Sequence, residues 1–157
     1  MKRINHFAWL ARRENAEQYV RQLEALLETK FELMSDDNVD AYVNWDSRVE
    51  VIAPAAGSSE GATYLANLLE ERGEGPFALA IRVQDLDGET EHARSSGFEV
   101  GTEVTPADPA ARLAVIRSYT TKIDDIRETQ IGDFLGTKLV LCQIDYADEK
   151  NDQTATA

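Results

Sequence analysis

The stretch Val49–Leu86, VEVIAPAAGSSEGATYLANLLEERGEGPFALAIRVQDL, decides how this chain is read. It begins with a short strand that carries one carboxylate, Glu50, between Val49 and Val51. Alternate strand residues point to opposite faces, so the two valines share one face and Glu50 takes the other. A carboxylate there must look into a cavity or water, because burying it unpaired is costly. Ser58 or Ser59 then caps a helix whose apolar face is Leu65, Leu68 and Leu69, and Gly73 ends it. Phe77–Val83 reads as the next strand, and Asp85 or Asp87 caps a short helix that stops at Gly97.

Upstream, Ile4–Arg12 is rich in strand-forming residues. Asn15 with Gln18 resembles a capping box, and Ala16, Val20, Leu23 and Leu27 follow at helical spacing. Three short strands are expected at Phe31–Met34, Ala41–Trp45 and Arg48–Ala53, which makes βαβββ. Downstream, strands are expected at Phe98–Val100, Leu113–Tyr119, Arg127–Ile131 and Lys138–Asp145, again βαβββ though less regular. His6-Phe-Ala-Trp-Leu-Ala-Arg12 also echoes Pro76-Phe-Ala-Leu-Ala-Ile-Arg82. The tail 148–157, DEKNDQTATA, is polar and expected to be disordered.

Composition narrows the function. The 157 residues are 43% hydrophobic, enough for a core, and carry a formal net charge of −13. Such a surface repels phosphate backbones and anionic lipid, so neither nucleic acid nor membrane is an expected partner. No apolar run approaches the roughly 20 residues that span a bilayer. The start MKRINHFAWL is broken by Asn5 and His6 before it can form a signal segment, so a cytoplasmic protein is expected. The single cysteine, Cys142, excludes an intramolecular disulfide and reads as a buried thiol in LVLCQI. Acidic pairs such as Asp36-Asp37 read as solvated charge. There is no phosphate-cradling glycine loop and no nucleophile elbow.

The segment VEVIAP…SS…LL…RGEG-PFALAIRV resembles the vicinal oxygen chelate (glyoxalase-like) superfamily, in particular its methylmalonyl-CoA epimerase-like branch. The resemblance covers roughly residues 4–145, and 102–126 match poorly. It implies an α+β fold in which two paired βαβββ modules form a curved sheet around a cavity, with helices outside. A single domain over 1–147 is expected, with module one at 4–56, a linker helix at 58–73 and module two at 76–147. The resemblance also implies a homodimer.

It further implies a metal site, and the match there is incomplete. In the family pattern D-H-I-G-I-A the histidine is a ligand; here the stretch reads N-H-F-A-W-L, so His6 falls on it. Glu50 falls on the second ligand position. The family's second histidine falls on Ala78, next to Phe77, and its C-terminal glutamate falls on Val140 in G-T-K-L-V-L. His92 sits on a helix and is expected to be exposed. Two protein ligands rarely hold a catalytic metal, since catalytic zinc sites generally use three. A third ligand would have to come from another strand, such as Glu128 or Asp133, or from a partner chain. The expected cofactor is therefore none, or a weakly held divalent metal at His6 and Glu50.

Strand parity adds Ala78, Ala80 and Arg82, and Lys138 and Val140 beside Cys142, as residues facing a small-molecule ligand, with Asn44 as a further polar contact. His6 and Glu50 are the candidate catalytic pair. The function implied is an isomerase, epimerase or lyase that abstracts a proton next to a carbonyl. The alternative is a metal-free small-molecule binding protein of the same fold. An interaction module without a small ligand is a third possibility, and only the incomplete site speaks for it.

Overall fold

The computed structural model describes residues 2–147. Met1 and the polar tail 148–157, for which disorder is expected, lie outside the described residues. The elements are β1 (Arg3–Leu10), α1 (Arg13–Leu27), β2 (Glu32–Ser35), β3 (Val39–Asn44), β4 (Val49–Pro54), α2 (Glu60–Arg72), β5 (Gly75–Arg82), α3 (Leu86–Ser95), α4 (Pro109–Tyr119), β6 (Ile123–Phe134) and β7 (Thr137–Tyr146). In hydrogen-bonding order, β2-β3-β4-β1 run through one half of the chain and β5-β7-β6 through the other. Helices and a mixed sheet in one chain make the fold α+β, as expected. The described residues divide into two compact units: 6–78, and 79–147 with 2–5.

In the unit 6–78, β1 runs parallel to β4 with Ala8 opposite Glu50 and Trp9 opposite Val51. β3 lies antiparallel on the other side of β4, with Val43 opposite Glu50 and Tyr42 opposite Val51. Opposite residues share a face, so each strand contributes to two distinct packing layers. Leu10 and Ile52 pack with Leu65, Leu68 and Leu69 of α2. Ala11, Val51 and Ala53 pack with Ala16 and Val20 of α1. This is the first part of the helical stripe read from the sequence, with Tyr19 and Leu23 half-buried at its border, whereas Leu27 at its end is 38% exposed.

The caps of the two helices differ. The Ser59 hydroxyl accepts from the Ala62 N–H at 3.1 Å, the cap expected for α2. Gly73 ends that helix at φ 76°, a left-handed conformation that glycine adopts without steric cost. For α1 the expected Asn15 box is corrected: the N-cap is Arg12, which makes no side-chain cap bond. Glu74, from the turn after α2, does the capping. Its Oε1 accepts from the Arg12 N–H at 2.7 Å and from Asn15 Nδ2 at 3.1 Å. A carboxylate brought from far along the chain outcompetes the local cap because it satisfies an orphan N–H and also meets the positive end of the helix.

In the other unit, Val83, Leu86, Ala93, Ile131 and Leu141 form the core under α3, with Ile81 and Leu139 against it. Asp85 caps α3 by accepting from Gly88 N–H at 3.0 Å. β6 and β7 form a long antiparallel hairpin with Glu128 opposite Cys142 and Gln130 opposite Val140.

Here two expected strands are corrected. Phe98–Val100 forms no strand. The segment after it makes strand-like bonds instead: Gly101 N–H to Gln130 O and Val104 N–H to Glu128 O, both 2.9 Å. A single bridge joins Glu103 and Thr129. Leu113–Tyr119 is helical, within α4. Asp108 accepts from Ala111 N–H at 2.7 Å and Pro109 occupies the first turn, a strong helix start. The apolar alternation of Leu113 and Val115 faces outward, at 42% and 47% exposure, while Arg112 and Ile116 are buried. The second module thus runs β-α-α-β-β.

Candidate functional site

β1 and β4 set the candidate site. His6, Ala8 and Leu10 share one face of β1, and Glu50 and Ile52 share the same face of β4 through the Ala8–Glu50 register. His6 Nε2 lies 3.9 Å from Glu50 Oε1. Their side chains are 15% and 21% exposed, so the pair is sheltered but reachable. The cross-strand neighbours of Glu50 are Ala8 and Val43, both apolar and buried. Burial pushes the Glu50 carboxyl up to about 7. A carboxylate in that range exchanges a proton near neutrality, and the imidazole beside it can donate or accept a hydrogen bond.

Asn44 is corrected. It pairs with Val49, on the face opposite Glu50. Its Nδ2 donates to Thr29 Oγ1 at 2.9 Å and Lys30 O at 2.7 Å, and its Oδ1 accepts from Ser47 N–H at 2.7 Å. All of its amide is spent on tying the β3–β4 turn to the end of α1, which explains its burial at 1% exposure. The parity rule was sound, but no sequence signal told which face of β3 was which.

Ala78 is buried at 8% exposure, and its methyl offers no donor atom to a metal. In the other unit, Leu139 and Leu141 pack under α3 together with Ile81 and Val83. By parity, Ala80 and Arg82 of β5 then share the opposite face with Val140 and Cys142 of β7. Ala80 and Cys142 are fully buried. Arg82 Nη2 donates to Ile144 O at 2.8 Å, and its guanidinium lies 5.1 Å from the Tyr146 ring centroid. Lys138 pairs with Asp133 near the hairpin turn, where Asp133 Oδ1 accepts from Gly136 N–H at 2.9 Å. Glu128 faces the same way as Val140, one strand over. His92 is exposed on α3, as expected.

His6 and Glu50, both singled out from the sequence, are joined by a contact of 3.9 Å. Ala78 and Val140, which the resemblance puts on two of the four ligand positions, carry no side-chain atom that could coordinate a metal. Glu74 was missed as an organising residue. Its only signal was its place in the RGEG turn, which a sequence reading takes as loop chemistry.

No protein-family description matches the sequence, and no curated protein does. Solved structures do match in fold. A Streptomyces coelicolor methylmalonyl-CoA epimerase variant in complex with 2-nitronate-propionyl-CoA superposes with TM-score 0.62 at 18% identity, over 91% of this chain and 96% of that one. Methylmalonyl-CoA epimerase from Mycobacterium tuberculosis gives 0.58 at 20% identity, over 89% and 86%. The hypothetical protein BH1468 from Bacillus halodurans C-125 gives 0.62 at 14% identity, over 90% and 94%. At these identities the likeness is one of fold: along nine-tenths of its length, the chain is folded as the methylmalonyl-CoA epimerases are.

Proposed function

We propose that this protein is a metal-deficient member of the vicinal oxygen chelate superfamily that abstracts a proton next to a carbonyl, as an isomerase, epimerase or lyase. The observation that carries the reading is the sheltered Glu50 carboxylate 3.9 Å from His6. Glu50 takes the proton from the carbon beside the carbonyl, and the electron pair of that C–H bond moves onto the carbonyl oxygen. A His6 N–H donates a hydrogen bond to that oxygen as charge develops. Delivery of a proton from water to the opposite face of the planar carbon, with Glu50 giving its own proton back to water, epimerises that carbon, and loss of a group with its electron pair from the next carbon makes the reaction a lyase step. Apolar neighbours keep the Glu50 proton affinity high enough for the transfer.

The neighbours include an epimerase whose structure is described as a complex with methylmalonyl-CoA and NH4+. Branched acyl thioesters are therefore the first substrates to test, followed by α-hydroxy ketones. The protein is incubated with each in deuterium oxide, and deuterium at the carbon beside the carbonyl is read by proton NMR. Exchange is expected with the parent protein and at least about 100-fold slower in Glu50→Gln. Saturable binding without exchange of any compound would replace this reading with the second one, a metal-free small-molecule binding protein of the same fold.

His6 and Glu50 alone would hold a divalent ion weakly. Elemental analysis of the purified protein should find less than one ion per chain. A full equivalent that disappears in a His6→Ala/Glu50→Ala double variant would change the proposal to metal-assisted proton abstraction.

A further inference from the structure

The face of β1 and β4 turned away from Glu50 carries Trp9, Ala11, Val51 and Ala53, and α1 lies across it. The contacts there rest on Ala11, Ala16 and Ala53, all nearly fully buried. Such small side chains do not fill the width of the interface further along the helix. A cleft of about 430 Å³ remains, lined by Trp9, Val51, Tyr19, Leu23, Leu26 and Glu74. This is within the range of small-molecule sites, which are mostly apolar walls with a few placed polar groups. Leu26 is 76% exposed although it lines the cleft, so an apolar occupant would cover surface that now faces water.

Glu74 supplies the polar end. Beyond the two bonds that cap α1, its Oε2 accepts from the Tyr19 hydroxyl at 2.8 Å. Together these hydrogen bonds hold its carboxyl below the usual range against the opposing effect of burial, so it is an anion near neutrality. Oε1 already accepts two hydrogen bonds, whereas Oε2 accepts one and can take another. The Arg12 guanidinium in this corner is committed to Glu70 at 2.7 Å. The carboxylates around the corner outnumber it, and the chain as a whole carries −13. An anion held in place by its neighbours, at the end of an aromatic and aliphatic cleft, complements a hydrophobic cation.

We propose that the cleft between α1 and the β1–β4 face is a second ligand site, for a small primary amine with an aromatic or branched apolar body. The body packs against Trp9, Leu23 and Leu26, and the ammonium donates to Glu74 Oε2. The site is separate from His6 and Glu50, because Trp9 and Val51 have the opposite strand parity to Ala8 and Glu50.

The test is a titration of the full chain with 2-phenylethylamine, followed by amide and indole NMR shifts, with 2-phenylethanol as the neutral control. Saturable shifts confined to Trp9, Leu23, Leu26 and Glu74 are expected. The alcohol should bind at least about tenfold more weakly, the increment expected for losing one charge-assisted contact. Glu74→Gln, which keeps an acceptor for the Arg12 N–H, should lower amine affinity by a similar factor and leave alcohol affinity unchanged. Leu23→Trp should fill the cleft and abolish both. Equal binding of amine and alcohol would overturn the proposal, as would shifts centred on His6 and Glu50. So would sedimentation showing a dimer that Leu26→Glu dissociates, since the cleft would then be covered by a second copy.

Discussion

The unit built from residues 6–78 and the unit built from 79 onward start alike, with a strand and a capped helix, and then part ways. The first continues with three regular strands, held by the α1 and α2 cores. The second replaces one strand by a bridge at Glu103 and a helix, and fixes them with charge. Buried Arg112 donates to both oxygens of Asp125, at 2.9 and 3.1 Å, and to the carbonyls of Pro106 and Ala107. Arg127 donates to Glu103 and Asp87, each at 2.8 Å. The lesson is that one repeat pattern can be satisfied by apolar layers in one copy and by ion pairs in the other. The second solution leaves far less periodicity in the sequence.

The largest effects should come where both units rely on apolar packing. Leu69→Ala and Leu86→Ala each remove a side chain at 3% exposure or less, and each should cost about 3 kcal/mol by urea unfolding. A loss below about 1 kcal/mol in only one of them would mean that unit tolerates a void, and the comparison would fail at its base.

Glu50 sharpens the contrast between function and stability. Its folded carboxyl lies at about 7 against an ordinary 4.5, so the folded chain binds the proton more tightly than the unfolded chain. The sign follows: this group costs nothing below about pH 4.5, and its penalty grows as pH rises and is complete above about 7. The ceiling is about 3 kcal/mol, reduced because one-fifth of the side chain still meets water. Glu50→Gln should therefore be more stable than the parent at pH 8 and equal to it at pH 4, in paired urea curves. Equal stability at both pH values would remove the burial argument for the base.

Arg112→Met tests the ionic half of the comparison. It strands the Asp125 carboxylate and two carbonyls. Because the Asp125 side chain is 37% exposed, the loss should be about 2 kcal/mol, less than for a fully buried pair. Hydrogen exchange should quicken in α4 and stay unchanged in residues 6–78. Smallest are the caps: Ser59→Ala and Asp108→Ala should each cost about 1 kcal/mol, one in each unit. A much larger effect of Asp108→Ala would show that α4 depends on its local start signal more than on Arg112.

Much of the fold was legible because periodicity and punctuation are local. The α1 stripe, the Ser59 cap, the Gly73 stop and the valines around Glu50 each follow from neighbouring residues. The helix at 109–119 was also legible, in Asp108-Pro109, but the alternation of Leu113 and Val115 suggested a strand. His6 and Glu50 were found as residue types on strands, and parity put each on a face of its own strand.

What the sequence by itself determined is therefore the set of elements in residues 6–78, most of those that follow, and the faces the strands divide, since these arise from bonds and side chains a few residues apart. Only the tertiary structure decided which faces coincide. The parallel register that sets Ala8 beside Glu50 brings His6 within 3.9 Å of it, and the antiparallel register of β3 sends Asn44 to the other side. Glu74 became the cap of α1 for the same reason. Strand register and chain crossing are settled by the summed burial of whole faces, and no local stretch of residues carries that sum.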